Sequence, residues 1–317
     1  MRIKVGVVGV GHLGKEHARI YSQLPECELV GVHDLDPAAA ARIAKKVRCP
    51  VSPSSEALAA VADAVSVVVP TTAHFDVARV FLERGKDVFV EKPIAETTSQ
   101  AQELVRMAQM AGRILQVGHV ERFNPVLSYL EKNLREPKFI EAHRLSPYPG
   151  RGTDVSVILD LMIHDLDVIM YLVRSPLVSF DAVGVPVLSS TEDIANARLK
   201  FANGCVANIT TSRISPEKMR KIRVFSADSY ISLDYQNQEG LIYWKEAGSI
   251  QREKVPVKKD EPLKLELASF VESVRRHSEP KVSGEQGKRA LDVAVAIVEQ
   301  IRQNDRGRSA SSQDPGN

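Results

Sequence analysis

The chain has 317 residues, 44% of them apolar and 26% charged, and its 42 basic and 40 acidic side chains leave a formal net charge of +2. This length allows two domains, and the balanced charge excludes the basic surface typical of nucleic-acid-binding proteins. The sequence begins with a strand-like run, contains no run of ~18 apolar residues, and has three separated cysteines without a CxxC pair. We therefore expect a soluble, reduced protein of the cytoplasm.

The first 120 residues alternate apolar, β-branched runs with Ala-rich amphipathic stretches. The strand-like runs are IKVGVVGV (3–10), LVGVHD (29–34), AVSVVVP (64–70), DVFVEKP (87–93) and ILQVGHV (114–120). Strands that are apolar along their whole length and separated by helices are typical of a parallel sheet covered on both faces. This pattern predicts an α/β Rossmann domain, with a doubly wound parallel sheet, over residues 1–120.

A different pattern follows residue 120. A helix near 125–134 and the strand FIEAHRLS lead to an apolar helix at 157–173, and alternating strand-like runs separated by short turns then extend from 178 to about 244. Two helices close the chain, and the second opens with the capping box Ser283-Gly284-Glu285-Gln286. We predict an α+β domain with a mixed or antiparallel sheet over residues 121–304, and a disordered polar tail at 305–317.

A glycine-rich turn follows the first strand. Gly9, Gly11 and Gly14 have the spacing GxGxxG, and Asp34 ends the second strand 20 residues after Gly14. Glycines in this position let a pyrophosphate approach the backbone at a helix N-terminus, and the acidic residue accepts hydrogen bonds from the adenosine ribose. Leu35 stands where an NADP-binding protein would carry Arg or Ser, so we expect NAD as the cofactor. The alternative is a structural turn beside a solvated aspartate.

Two histidines, His12 and His17, accompany this turn. We expect them at the helix start and on the surface, not as catalysts.

A lysine ends the fourth strand, in the segment Glu91-Lys92-Pro93. Ligands bind beyond the carboxyl ends of parallel strands, so Lys92 is expected at the cofactor crevice. Pro93 disfavours helical geometry at Lys92 and permits a cis bond. The alternative is a strand-end lysine that simply reaches solvent.

The apolar helix at 157–173 carries charged side chains. Asp160, His164 and Asp167 are spaced to share one helix face, whereas Asp165 points elsewhere. Such groups are costly to bury among Ile, Leu and Met without a purpose. They predict a catalytic site. The alternatives are a polar stripe paired with a neighbouring sheet, or metal ligation, and since no matching third ligand stands out we expect no metal.

Taken in order, these motifs resemble the glucose–fructose oxidoreductase and inositol dehydrogenase family (Gfo/Idh/MocA) over residues 1–304. The resemblance includes Pro70, His74 and the segment EDIANARLKFANGC. It implies a Rossmann domain followed by a large open-faced sheet through which homodimers or homotetramers form. It also implies that Lys92, Asp160 and His164 are catalytic and face the nicotinamide. The implied cofactor contacts are Gly9, Gly11, His12, Leu13, Gly14, Asp34, Pro70, His74, Glu91 and Lys92.

One residue departs from the family pattern: Met162 stands where many members carry glycine, and we expect this difference to bear on helix packing or pocket shape.

This set of residues suits the oxidation of a secondary alcohol. Removing a hydride requires a base for the hydroxyl proton and a cation near the developing alkoxide. A histidine titrates near neutrality, so His164 is the expected base, and Asp160 is expected either to orient it or to hold its charge. Lys92 is expected to hydrogen-bond the reacting oxygen.

The segments GHVERFNPVL (118–127) and YPGRGTDVSVILDLMIHDLD (148–167) resemble one branch of the family. Its members oxidise the 3-hydroxyl of UDP-N-acetylglucosamine before transamination to a 3-amino sugar, as used in lipid A biosynthesis. Three arginines in or near these segments, Arg122, Arg144 and Arg151, are expected to hold the diphosphate through bidentate contacts. The expected substrate-binding residues are Arg122, Asn124, Arg144, Tyr148, Arg151, Asp160 and His164.

Other interpretations remain open at this point. The arginines could form ordinary ion pairs, the substrate could be another sugar or an inositol, or the chain could be a non-catalytic sugar or NAD sensor. A sensor need not retain Lys92, Asp160 and His164 together.

Overall fold

The computed structural model describes residues 2–148, 150 and 155–311, except the side chains of residues 305 and 307–311. It contains two compact units. Unit 1 comprises Met1–Phe123 and Asp260–Arg289, and unit 2 comprises Asn124–Lys259 and Ala290–Asn317. None of the helices in the described ranges is long and apolar enough to cross a membrane.

Unit 1 contains a five-stranded parallel sheet in the order β2-β1-β3-β4-β5. Its strands are β1 (Ile3–Val8), β2 (Cys27–His33), β3 (Ala64–Val67), β4 (Asp87–Glu91) and β5 (Leu115–Gly118). The helices between them are α1 (Gly14–Tyr21), α2 (Pro37–Val47), α3 (Ser55–Val61), α4 (His74–Glu83) and α5 (Thr98–Ala111). The strand order reverses between β1 and β3, which is where such sheets bind ligands. The predicted Rossmann architecture is confirmed.

Helix α8 (Pro262–Arg276) belongs to unit 1 although it comes late in the sequence. Its apolar face is buried with β1, α1 and α2, and the rings of Phe270 and Phe89 meet edge to face at 5.7 Å. Beyond it, the amide of Val117 in β5 donates to the carbonyl of Val282 at 3.1 Å. Unit 1 therefore includes a C-terminal segment that we expected in the second domain, because amphipathicity does not reveal which sheet a helix will cover.

Unit 2 contains an eight-stranded mixed sheet in the order β13-β12-β11-β10-β6-β9-β8-β7, in which only the described pair β6–β9 is parallel. Its strands are β6 (Phe139–Leu145), β7 (Leu177–Val185), β8 (Ile194–Phe201), β9 (Val206–Ser212), β10 (Met219–Phe225), β11 (Ser229–Asp234), β12 (Glu239–Glu246) and β13 (Ser249–Lys254). Its helices are α6 (Leu127–Asn133), α7 (Ile163–Val173) and part of α9 (Gly284–Ser311).

One face of this sheet forms the core of unit 2. Alternate strand residues are buried against α7 and the later part of α9, while the residues between them face away from that core. The predicted second domain with a large mixed sheet is confirmed.

Helix α9 begins at the predicted capping box. The amide of Gln286 donates to Ser283 Oγ at 3.4 Å, and the amide of Ser283 donates to Gln286 Oε1 at 3.2 Å. The helix ends at Ser311. Residues 305–311, which we expected in a disordered tail, are therefore helical, and residues 312–317 lie outside the described ranges.

Candidate active site

The loop between β1 and α1 provides an open cradle of backbone. Gly9 has a φ of +83°, and a Cβ there would lie 2.5 Å from the carbonyl oxygen of Val68. A Cβ at Gly14 would lie 1.8 Å from the Gly9 carbonyl oxygen, whereas one at Gly11 would meet no heavy atom of the described chain within 4 Å. Gly9 and Gly14 thus close the turn, and Gly11 leaves room for a diphosphate to approach α1. His12 and Leu13 are exposed on this loop.

Asp34 joins this loop to the end of β2. Its carboxylate accepts hydrogen bonds from the amides of Val10 at 2.7 Å and Asp36 at 2.9 Å. Each carboxylate oxygen has a second lone pair, so the half-buried side chain can still accept from ribose hydroxyls. Leu35 beside it is 94% exposed. These residues fit an NAD adenosine.

We expect Asp34→Ala to weaken NAD binding by about tenfold or more, because hydrogen bonds to a charged group contribute about 1.5–3 kcal/mol each. The unmodified protein should prefer NAD, since the carboxylate repels a 2′-phosphate, and the variant should lose that preference. Titration with both cofactors measures the ratio of the two dissociation constants. Asp36→Ala removes a helix cap two residues away and serves as the control. A tenfold preference of the unmodified protein for NADP would contradict the assignment.

Lys92 lies directly after β4 at the carboxyl edge of the sheet and is half-buried. The Lys92–Pro93 peptide bond is cis. Pro70, at the corresponding end of β3, is exposed and precedes a short 3₁₀ turn. The structure therefore places the predicted lysine at the edge of the sheet that binds ligands in this fold.

His74 fixes these two strand ends to one another. Its Nδ1 lies 2.8 Å from the carbonyl oxygen of Pro93, and its Nε2 lies 2.9 Å from that of Val69. Burial lowers the pKa of His74, and the two carbonyl contacts partly offset that shift. The side chain is buried and both ring nitrogens contact the main chain. His74 thus acts on the site by holding the loop that carries Pro93, and we no longer expect it to contact a cofactor directly.

Glu91 is paired inside unit 1. Its Oε1 lies 3.1 Å from Nε2 of His17, whose fully buried imidazole makes edge-to-face contacts with the rings of Tyr21 and Phe89. The expectation that His17 is a surface residue was wrong. The sequence did not reveal that His17 is buried, because the residues of α1 give no sign that the Glu91 carboxylate lies against this helix. The pair fixes the residue immediately before Lys92.

Asp160 and His164 are half-buried on the helical segment that precedes and begins α7. The predicted continuous helix contains a π-helical turn over Ile158–Met162, in which the amide of Ile163 donates to the carbonyl of Ile158. Asp160 lies within this wide turn, a feature frequent at functional sites. The spacing from Asp160 to His164 is therefore not one regular α-helical turn. Met162, the departure from the family pattern, is fully buried in the core.

The remaining carboxylates of this helix are buried. Asp165 forms two hydrogen bonds with Arg144 of β6, from Nε at 2.8 Å and Nη2 at 3.0 Å. Asp167 is also buried. Only 3% of Arg144 is exposed, so its guanidinium is committed to a protein carboxylate. The prediction that Arg144 holds a substrate diphosphate is not supported, because the side chain is buried and its Nε and Nη2 donors already bond Asp165.

Two further predicted substrate residues are buried. Arg122 is 1% exposed and donates from Nη2 to the carbonyl of Lys281 at 3.1 Å, within unit 1. Asn124 donates to the carbonyl of Tyr235 at 3.0 Å, within unit 2. Both contacts secure chain segments, and they do not support a direct substrate contact. Tyr148 is exposed, and Arg151 lies outside the described residues.

No cluster of three or more His, Cys, Asp or Glu side chains arranged to hold a metal ion occurs in the part of the chain that the structure describes. Lys92 follows β4 in unit 1, and Asp160 and His164 lie on a helical segment of unit 2. The glycine cradle on the parallel sheet of unit 1 defines a Rossmann fold of the NAD-binding class.

Comparison with known proteins identifies the family. Residues 3–119 match the oxidoreductase family with an NAD-binding Rossmann fold, GFO/IDH/MocA, and residues 134–231 match the GFO/IDH/MocA C-terminal domain. The chain belongs to the Gfo/Idh/MocA oxidoreductase family, as its motifs predicted.

Individual relatives narrow the comparison. The chain is 37% identical over 304 residues to UDP-N-acetylglucosamine 3-dehydrogenase of Acidithiobacillus ferrooxidans, covering 94% of this chain and 96% of the relative. A solved structure of that protein has a TM-score of 0.91 and covers 95% of this chain and 98% of its own.

More distant relatives act on other substrates. Inositol 2-dehydrogenase of Rhizobium meliloti (strain 1021) is 26% identical over 322 residues, covering 95% and 97% of the two chains. Levoglucosan dehydrogenase in complex with NADH and levoglucosan has a TM-score of 0.88 at 16% identity, covering 96% and 98%. At this low identity, the similarity to levoglucosan dehydrogenase shows only that the two proteins share a fold.

Proposed function

We propose that this protein uses NAD to oxidise the 3-hydroxyl of UDP-N-acetylglucosamine to the 3-keto nucleotide sugar. The observation that carries the proposal is the 37% identity, over 94% of the chain, to a UDP-N-acetylglucosamine 3-dehydrogenase. The inositol dehydrogenase relatives are more distant, at 26% identity over a similar length. The glycine cradle, Asp34 and the strand-end lysine supply the parts that such an enzyme requires.

The proposed roles follow from the chemistry of an alcohol. His164 takes the hydroxyl proton, and Asp160 orients the imidazole or balances its charge. Lys92 donates a hydrogen bond to the oxygen and stabilises the negative charge that develops there. NAD, when bound, accepts the hydride from the carbon.

Recognition of the diphosphate needs a different explanation from the one that the sequence suggested. Arg144 and Arg122 are buried and bonded within the protein, so they do not supply the argument for a nucleotide sugar. Tyr148, which is exposed, and Arg151 remain candidates in the segment that precedes the π turn. The substrate proposal therefore rests on the relative and not on an arginine cluster.

We expect the kcat/KM for UDP-N-acetylglucosamine to exceed that for free N-acetylglucosamine by roughly 100-fold. Two hydrogen bonds to charged phosphate oxygens, at about 1.5 kcal/mol each, amount to about 3 kcal/mol, or roughly that factor. Binding energy from the remote diphosphate also positions the reacting carbon. Because alcohol oxidation by NAD is unfavourable near neutrality, the assay couples NADH formation to an aminotransferase that consumes the ketone, and mass spectrometry locates the keto group.

Two controls define the outcome. Arg151→Met should narrow the difference in kcat/KM between the two substrates, whereas Arg302→Met, at an exposed position on α9, should leave that difference unchanged. Equal efficiency on free and UDP-linked sugar, or faster turnover of an inositol, would move the assignment to a simple-sugar or inositol dehydrogenase. Tight NAD binding without turnover of any of these compounds would indicate that the protein is a non-catalytic sugar or NAD sensor.

We also propose that the chain forms a homo-oligomer through the face of the unit 2 sheet that points away from its core. Four partly exposed aromatic rings adjoin across neighbouring strands there, with centroid separations of 5.7, 4.6 and 5.1 Å: Phe139, Phe225, Tyr230 and Tyr243. Such aromatic surface is enriched in interface cores. Light scattering of the purified protein measures this state, and a monomer at micromolar concentration would contradict it.

We place the enzyme in the cytoplasm, where its product would feed a 3-amino sugar of the kind used in lipid A. The three cysteines are unpaired by disulfides, which agrees with a reducing compartment. Fractionation of cells producing a tagged chain tests this location.

A further inference from the structure

Arg213 and Asp193 form an enclosed ion pair in unit 2. Arg213 Nε lies 2.8 Å from Asp193 Oδ1, and the two residues are 1% and 0% exposed. Burial alone would raise the pKa of Asp193, but hydrogen bonds from Ser189, Leu188 and Arg213 outweigh it and hold that pKa well below its usual range. A buried pair this well bonded fixes the loop around it, although such pairs contribute little net stability.

The rest of the guanidinium reaches the chain just before the catalytic helix. Nη1 donates to the carbonyl oxygen of Val155 at 2.6 Å, and Nη2 donates to Thr191 Oγ1 at 2.9 Å. The Thr191 hydroxyl in turn donates to the same Val155 carbonyl at 3.2 Å. One carbonyl oxygen therefore accepts from both Arg213 and Thr191.

The residues after Val155 lead directly into the π turn. The amide of Val157 donates to the carbonyl of Glu192 at 3.0 Å. The carbonyl of Ser156 accepts from the amide of Asp160 at 3.0 Å, and its hydroxyl accepts from the amide of Ile158 at 3.2 Å. The start of the turn is thus anchored to the 191–193 segment on one side and bonded to Asp160 on the other.

We propose that the Arg213–Asp193 pair, acting through Thr191 and Val155, is a positioning device for Asp160 and His164. A π turn is rare, and its geometry depends on the contacts at its ends. Holding the carbonyl of Val155 fixes where the turn begins and hence the direction of the side chains that follow. This inference rests on the proposed function, because it assumes that Asp160 and His164 carry the chemistry.

The test compares Thr191→Val with Thr191→Ser. Thr191 is half-exposed, so the change to valine removes the hydroxyl with little change of volume. We expect Thr191→Val to lower kcat about tenfold, since displacements of about 1 Å can reduce turnover by up to 10²-fold. The Kd for NAD and the Tm should stay unchanged, and Thr191→Ser should restore kcat. A purely structural role would lower Tm and leave kcat at 25 °C unaltered.

Arg213→Lys extends the test, because lysine keeps the charge but cannot reproduce the fork of donors. If this variant folds, its kcat should fall further than that of Thr191→Val while NAD binding persists. If it does not fold, Thr191→Val decides the question. Normal kcat in Thr191→Val would overturn the proposal.

The parent protein separates this inference from the proposed function. Absence of turnover in the unmodified chain with every nucleotide sugar, free sugar and inositol would contradict the enzyme assignment and, with it, this inference. Turnover by the parent and an unaltered kcat in Thr191→Val would contradict the positioning role alone.

Discussion

Replacing Lys92 with methionine is expected to reduce turnover by about 10²–10⁴-fold, while the fold and NAD affinity remain close to those of the parent. Methionine keeps much of the length and apolar volume of the lysine stem but supplies no positive charge and no hydrogen-bond donor. The oxygen that loses its proton would then develop negative charge without a partner. Steady-state kinetics with the nucleotide sugar and calorimetric titration with NAD measure the two quantities.

Lys86→Met is the matched control, because Lys86 precedes the opposite end of the same strand β4. It carries the same substitution away from the carboxyl edge of the sheet, and its turnover should equal that of the parent. His164→Asn in the same assay tests the proposed base and should also lose most activity. Parental turnover in Lys92→Met would show that the lysine does not stabilise the alkoxide.

The second large effect is on stability. Asp165→Asn is expected to lower the free energy of unfolding by about 3–5 kcal/mol, because it leaves the buried guanidinium of Arg144 without its opposite charge. Both side chains are almost fully enclosed, and the pair is joined by two hydrogen bonds. At about 2–4 °C per kcal/mol for a unit of this size, Tm should fall by roughly 6–20 °C.

Replacing Arg144 itself distinguishes a structural role for this arginine from a role in binding the substrate diphosphate. If the arginine bound the substrate diphosphate, Arg144→Met would raise KM and leave Tm nearly unchanged. The structure predicts the opposite result for Arg144→Met: a marked fall in Tm and no specific rise in KM. Glu299→Gln, at an exposed position on α9, removes a carboxylate from the same unit and should leave Tm within about 1 °C, since surface changes usually stay within ±0.5 kcal/mol. Thermal unfolding followed by circular dichroism provides both values.

Features that depend only on residues close together in the sequence could be predicted from the sequence itself. The GxGxxG turn, the apolar parallel strands, the lysine at the end of β4 and the capping box at Ser283 each have a local physical cause. A tight turn of this kind needs residues without a Cβ, and a strand buried on both faces needs a continuous run of apolar residues. These signals predicted the Rossmann domain, NAD as the cofactor and the family, and the structure and comparisons confirm these three predictions.

Only the tertiary structure decided which charged side chains meet. His17 contacts Glu91 across 74 residues of sequence, and Arg144 contacts Asp165 across 21. No periodicity encodes such a pair, because each partner looks like a surface charge until the elements that carry them pack together. For the same reason, the sequence suggested a diphosphate-binding role for Arg144 and a surface position for His17. It also did not reveal that α8 joins the first unit or that a π turn holds Asp160, since both depend on packing against elements distant in the chain.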